Sequence, residues 1–518
     1  MFVYRRIKEA AGSRNASVLA IVLFLVAAYP EILTAQNPAL TGVVRNAAGE
    51  AKAGALVRIT NETLGLTYMV VSGAQGRYKT PELPPGRYYV QSIGGGFQSA
   101  PAGAVEVKSG QQQTLDLVLN APQPSNPPDR KFTGTDWAKV MPEGDGKRLL
   151  LGRCSLCHGM ERMVQKRATR EEWGRIVDRM RDDLRDHGVT LTEVERDTML
   201  DYLAHQFSPI SPPFRREPPP PREPNGHLPR TFVKGVEANF LAMEFDLKLP
   251  PGAWIMDLAA DSQGIVWATE RVSGMLGRFD SKTLTYTRIA PPQGKSSERS
   301  LSSVAVDSQD HVWFTDNGPN GLLIEYDPKD RKFATYPIPV PPNLGPAVVQ
   351  LRFLDGNIWG TGLQASQIVS MNIDTGKWRQ VPISKGSLPY GLAIGGDKNL
   401  WYASNYDNQV VRLEPETGEL TRYKVPTPKS DLRRMQADAD GNVWTVGIAS
   451  GKLVKVEYRT GKVTEFSPPT QDSGPFAVDV DRKRNLIWFG EMNARKLGRF
   501  DPRSKTFAEF AVPSADVG

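Results

Sequence analysis

The sequence predicts a multidomain fold: an N-terminal all-β sandwich, a small all-α unit, and a C-terminal β-propeller of six or seven blades. Three observations predict it. Two proline-rich stretches, "APQPSNPPDR" at 121–130 and "SPISPPFRREPPPPREPNGHLPR" from 208 onward, interrupt the chain, and such sequences favour extended polyproline conformations over packed structure. Before the first stretch, short β-type runs alternate with turn clusters. After the second, a tryptophan recurs at 267, 313, 359, 401, 444 and 488, at intervals of 46, 46, 42, 43 and 44 residues. Length agrees, since 518 residues exceed what one core accommodates. The expected division is a signal over 1–36, a sandwich over 37–120, a linker over 121–130, a helical unit over 131–207, a second linker over 208–231 and the propeller over 232–518.

At the N-terminus Arg5, Arg6, Lys8 and Arg14 precede the apolar run "SVLAIVLFLVAAY", with small residues near Ala35 and Gln36. That is the layout of a cleaved export signal. The run falls short of the roughly 20 residues that span a bilayer as a helix, so no membrane span is expected after cleavage. The mature protein is therefore expected in the periplasm or elsewhere in an exported bacterial envelope. The net charge of +7 is modest, and no Lys/Arg run interleaves with aromatics, so no nucleic-acid partner is expected.

In the first unit "LTGVV", "ALVRIT", "RYYVQSI" and "TLDLVLN" are the strand runs, and "NAAGE", "GAQG" and "LPPG" the turns. Through "GVVRNAAGEAKAGALVRI" and "GAQGRYKTPELPPGRYYV" it resembles the carboxypeptidase regulatory-like domain, which implies an accessory module.

The middle unit holds both cysteines of the chain, in "GRCSLCHGM". Cys154, Cys157 and His158 form C-x-x-C-H, the attachment pattern of haem c: two thiols reach one edge of the porphyrin and the adjacent imidazole reaches the iron. A redox disulfide normally opens a helix after a strand, whereas the surroundings here are helical; a zinc site would need further ligands, for which only His187 and His205 are near. Downstream, "TREEWGRIVDRM" and "TEVERDTMLDYLAHQF" each begin with a capping box, Thr169 to Glu172 and Thr192 to Glu195, which predicts two further helices. The stripe Met199, Leu200, Leu203 and Phe207 is expected to face the first helix.

Met160 and Met163 follow His158 too closely to reach the opposite face of a haem, which leaves Met180 and Met199. Met180 shares a stripe with Trp173, Ile176, Val177 and Leu184, so it can equally be core. The unit resembles class I-like cytochrome c domains over residues 131–207, including the ending "DYLA", and the resemblance favours Met180 as the second axial ligand through its W…V…M helix. Met199, His187 and an open position are the alternatives. The implied partner is a redox protein or a small-molecule electron donor. Arg162, Lys166, Arg167, Arg170 and Arg175 could steer an acidic one or form a solvated face.

In the third unit "GIVWATE", "DHVWFTD", "GNIWGTG", "KNLWYAS", "GNVWTVG" and "NLIWFGE" each follow a turn and precede two further strand runs, the content of a propeller blade. "NFLAMEFDLKLP" at 239–250 adds a strand-like segment that could fill a groove, extend a blade or begin a seventh. The repeats resemble the virginiamycin B lyase (streptogramin lyase) family. The resemblance implies opening of a cyclic depsipeptide by elimination, with a histidine base and a magnesium ion near carboxylates. This propeller has a single histidine, His311, placed in a turn and expected to point outward, so the implied catalytic histidine has no counterpart. By repeat equivalence Glu270, Asp316, Asn405 and Glu491, with Asn493 behind them, should share one face and could hold magnesium, another divalent cation or a polar ligand; carboxylates at such turns also cap backbone groups. Tyr390, Tyr406, Arg433 and Arg434 are weaker candidates nearby. A catalytic residue is not identified.

The expected function is an exported monohaem c-type cytochrome whose propeller binds a substrate or partner. The alternatives are a metal-assisted lyase of the streptogramin lyase type and a noncatalytic envelope binding protein.

Overall fold

The computed structural model describes residues 3–5, 21–23, 39–100, 104–120, 141–153, 163–164, 166–186, 191–212, 232–250 and 253–513, except 272, 293–298, 319–320, 341–346, 364, 385–386, 406, 472, 493 and 495. Most of the expected signal and most of both proline-rich linkers lie outside these residues.

The N-terminal unit is a two-sheet sandwich. One sheet runs Gln113–Thr114, Leu40–Asn46, Leu117–Leu119, with Arg77–Lys79 on the central strand. The other contains Leu66–Val71, Leu56–Asn61 and Gly86–Gly94 as neighbours. Alternation drives this: Val57, Ile59, Tyr68, Val70, Tyr88 and Val90 point into the apolar interior between the sheets. The segment 239–250 extends none of the six four-stranded sheets described below. Its strand Ala242–Phe245 pairs antiparallel with Leu66–Val71 and so belongs to the sandwich; Ile21–Leu23 and Val3–Arg5 continue that sheet.

Three α-helices are described: α1 (Asp145–Arg153), α2 (Arg170–Asp186) and α3 (Glu193–Gln206). Both capping boxes form. The Thr169 N–H donates to Glu172 Oε2 at 2.8 Å and the Glu172 N–H to Thr169 Oγ1 at 3.3 Å; the Thr192/Glu195 pair repeats this at 3.0 and 3.2 Å. Helix α1 packs on α3 so closely that a Cβ at Gly146 would fall 2.1 Å from that of Tyr202. The core between the helices takes Leu149, Leu150, Trp173, Val177, Met199, Leu200, Leu203 and Phe207.

The C-terminal region is six four-stranded antiparallel sheets in chain order, blade 1 (Ile255 to Ile289), blade 2 (Leu301 to Pro337), blade 3 (Val348 to Pro382), blade 4 (Pro389 to Lys424), blade 5 (Leu432 to Phe466) and blade 6 (Pro475 to Ala511). Each tryptophan lies on the second strand of its blade. That strand is covered by sheet on both faces, which is why "VWFTD" reads as a nearly continuous buried run. The preceding turn is held by its aspartate: Asp261 accepts the N–H groups of Gln263 and Ile265 and the Trp267 indole N–H at 2.9 Å, and Asp307 and Asp438 hold Trp313 and Trp444 in the same way. Threonines two residues after a tryptophan stitch blades together, with Thr269, Thr315 and Thr361 donating to the carbonyls of Ser302, Val348 and Tyr390. The first strand of every blade carries a register shift near its start, which turns side chains there toward the propeller axis.

Candidate functional site

Helix α1 ends at Arg153, immediately before the C-x-x-C-H motif, while Cys154, Cys157, His158, Met160 and His187 lie outside the described residues. Met199 is fully buried among the apolar side chains between α1 and α3, as its stripe predicts, whereas Met180 on α2 is only half-buried and stands outside that apolar cluster. The Trp173 indole donates to the Phe207 carbonyl at 3.1 Å and ties the start of α2 to the end of α3.

On the propeller, strand pairing puts the third residue after each tryptophan opposite the start of the blade's first strand, so Glu270, Asp316, Gly362, Ser404, Gly447 and Glu491 share one face. The face is common, but these side chains do not converge on one site. Glu270 is buried and fully engaged: Arg288 Nη2 approaches at 2.7 Å, Arg288 Nε at 2.9 Å, the Tyr286 hydroxyl donates at 2.8 Å, and Ser273 adds a further bond. Asp316 accepts the backbone N–H groups of Ser300 at 2.8 Å and Gly318 at 2.9 Å; burial pushes its carboxyl above the ordinary value, and those two bonds and Arg299 pull it back. Asn405 lies one residue past the ring position, which Ser404 holds, and its amide donates to Asp431 and to the Leu432 carbonyl in blade 5. Asn317 does the same from blade 2 to Val348 in blade 3. Asn493 is outside the described residues.

Glu491 differs from the rest. It is 0 % exposed, and among the described residues neither carboxylate oxygen makes a hydrogen bond of good geometry. Burial, reinforced by the Glu509 carboxylate, raises Glu491 from 4.5 to about 7, against smaller opposing pulls from Ser473 and Lys496. A buried carboxyl near neutrality can hold or accept a proton at working pH.

The axis itself is closed by side chains from alternate blades. Arg434 in blade 5 reaches Asp257 in blade 1 at 3.1 Å and the Val349 carbonyl in blade 3; Gln350 and Arg352 in blade 3 both donate to the Met435 carbonyl. Above this plug lies an aromatic and cationic cluster. The Arg433 guanidinium sits 4.9 Å over the Tyr390 ring and 5.8 Å over Phe476, and it pairs with Asp431 at 2.7 Å. Sequence reasoning named Tyr390, Arg433 and Arg434 but missed Phe476, although "LPYG" and "GPFA" occupy equivalent starts of first strands.

His311 stands at the opposite end of the strand from Asp316. It is partly buried rather than pointing freely outward, with Nδ1 3.0 Å from Glu325. Among the described residues no three His, Cys, Asp or Glu side chains gather as a metal site. Glu270 and Asp316 are committed to protein donors and do not fit a cation.

The sequence pattern of the carboxypeptidase regulatory-like domain matches residues 39–120. No curated protein matches the chain. Among solved structures, selenomethionine-substituted virginiamycin B lyase from Staphylococcus aureus is 26% identical, covering 50% of this chain and 84% of its own at a TM-score of 0.46. A catalytically inactive form of that lyase with quinupristin gives 26%, 50%, 84% and 0.45, and a streptogramin B lyase 26%, 50%, 83% and 0.45. The pattern of the virginiamycin B lyase family matches residues 245–517, more than half of the sequence, and the chain belongs to that family.

Proposed function

We propose that the protein is an exported c-type cytochrome, with one haem held by the helical unit and a propeller that presents a substrate or partner to it. The observation that carries the reading is that the only two cysteines of 518 residues form C-x-x-C-H directly after α1. The donor set fits: Cys154 and Cys157 would hold the porphyrin covalently, and His158 and Met180 would be the axial ligands. Bound haem supplies one-electron transfer. The chain's own part is to pack α1 and α2, which flank the motif in sequence, against α3 and to leave Met180 outside the apolar core that takes Met199. The exposed Lys429, 3.9 Å from Asp145 at the start of α1, lies in the same loop as Asp431 beside the Tyr390–Arg433–Phe476 cluster, which is the proposed face for a planar or anionic ligand. The proposed division into units is that of the sequence, with linkers over 121–130 and 208–231.

The mature protein purified from an exporting bacterium should carry one haem mass that survives denaturation and should show a haem spectrum that changes on reduction. A protein without covalent haem overturns the reading. Met180→Ala should leave the haem attached but lower its reduction potential and change the spectrum of the ferric form; an unchanged spectrum removes Met180 from the site while keeping the haem.

A second reading, elimination chemistry on the propeller, is favoured by one observation, the neutral-range carboxyl of Glu491. Incubation with a cyclic depsipeptide, with and without magnesium, should yield the opened product if this reading holds. No opening under either condition removes it.

A further inference from the structure

Each blade's tryptophan packs onto the next blade in a fixed way. Trp267 shares an apolar cluster with Val312, Phe314 and Tyr326 of blade 2, and those positions recur: Trp313 clusters with Ile358 of blade 3, Trp359 with Leu400 and Tyr402 of blade 4, Trp401 with Val443 of blade 5, and Trp444 with Ile487, Phe489 and Phe500 of blade 6. First strands of successive blades pack together from blade 1 to blade 6, but no comparable packing joins blade 6 back to blade 1 among the described residues. Trp488 of blade 6 instead packs against a cluster that joins Leu497, Ala508 and Phe510 of its own blade to Leu56, Met69, Ile93 and Ala242 of the sandwich. On the other side of the gap, Val266, Ala268 and Phe279 of blade 1 stand where Val312, Phe314 and Tyr326 stand in blade 2, and they share an apolar cluster with the sandwich interior and Phe245. The Phe245 and Phe279 ring centroids are 4.6 Å apart.

From this we infer that the sandwich serves as the propeller's closing blade. Its sheet of Ala242–Phe245, Leu66–Val71, Leu56–Asn61 and Gly86–Gly94 sends Leu56, Met69, Ile93 and Ala242 from one face to blade 6. The opposite face carries the sandwich's own core and, at its edge, Phe245 against blade 1. Alternation along the strands permits this, because residues one apart serve two different cores. The carboxypeptidase regulatory-like region is thus a load-sharing part of the ring rather than an appended module with two free faces. It also follows that the helical unit is an insertion: the chain is last bonded to the sandwich at Asn120 and is fixed to it again at Phe232, whose ring fills the space beside Gly94 and Gly95, and at Val233, whose N–H donates to the Gly54 carbonyl at 2.8 Å.

The test is cleavage of the full chain at protease sites engineered into 121–130 and 213–231. Residues 39–120 should remain bound to 232–518 through non-denaturing chromatography, while the helical fragment separates. Elution of 39–120 as a free fragment overturns the inference. In the uncut chain, Met69→Asp should speed amide exchange at least tenfold in the tryptophan strands of blades 6 and 1 and leave blades 2 to 4 protected. Unchanged protection in blades 6 and 1 also overturns it. If that variant does not fold, a double-mutant cycle of Phe245→Leu and Phe279→Leu decides: non-additive shifts of a single unfolding transition support the inference, and additive shifts with separate transitions for sandwich and propeller refute it.

Discussion

Blades 1 and 6 place a glutamate at the same point of the same strand, and the two carboxylates have opposite surroundings. Glu270 is met by Arg288 from the fourth strand and Tyr286 beside it. In blade 6 the register positions of Arg288 and Tyr286 carry Glu509 and Phe507, and that of Met275 carries Lys496. Lys496 is engaged by Glu509 at 2.6 Å and by Thr470 at 2.8 Å. Blade 5 shows that this arrangement is complete without a further acid: Lys452, Glu465 and Thr427 form the same triad, and Gly447 stands in place of Glu491. Glu491 is therefore one carboxyl more than the blade needs. The comparison teaches that a repeated motif fixes where a side chain stands, while its hydrogen-bond and ion-pair partners come from a different strand.

Removing the cation from blade 1 should have the largest effect. Arg288→Met leaves Glu270 buried beside no cation and should cost about 3 kcal/mol, the lower part of the range for breaking a buried pair because Arg288 is 32% exposed. Chemical denaturation at neutral pH measures it, and a loss below about 1 kcal/mol would show that the pair is structurally idle.

Blade 6 should respond to pH instead. The folded-state value of Glu491 lies above its ordinary value, so the folded protein holds a proton that the unfolded chain has released. This carboxyl's contribution to stability is then greatest below pH 4.5, declines as pH rises from there to about 7, and is level above. Glu491→Gln should flatten that decline and make the protein more stable than the parent at pH 8 by about 2 kcal/mol. An identical pH profile for parent and variant would contradict the assignment.

The smallest effect should come from Tyr286→Phe, which gives blade 1 the residue blade 6 carries. Loss of one hydrogen bond to a charged acceptor that keeps Arg288 should cost about 1 kcal/mol, with no new pH dependence. A loss above about 3 kcal/mol would mean that Tyr286, and not Arg288, is the main partner of Glu270.

Much of this was legible in the sequence. The tryptophan spacing marks six blades because each blade needs one large apolar residue facing its neighbour, and both capping boxes form because they depend on residues three apart. Repeat equivalence points to Asn405 in blade 4, whereas the register puts Ser404, three residues after Trp401, at the ring position. The state of the glutamates also had a sequence signal. The residue eighteen positions later is Arg288 after Glu270 and Glu509 after Glu491, which becomes meaningful only once the fourth strand is known to lie beside them.

The sequence by itself determined what depends on neighbours along the chain: the C-x-x-C-H motif, the helix caps, the aspartate turns and the period of the blades. Only the tertiary structure decided which surfaces meet across long separations. That the sandwich lies between blades 6 and 1, that alternate blades close the axis, and that Glu491 lacks the cation Glu270 has are all outcomes of packing between segments whose sequences carry no mark of one another, because apolar burial is non-directional and any matching face can satisfy it.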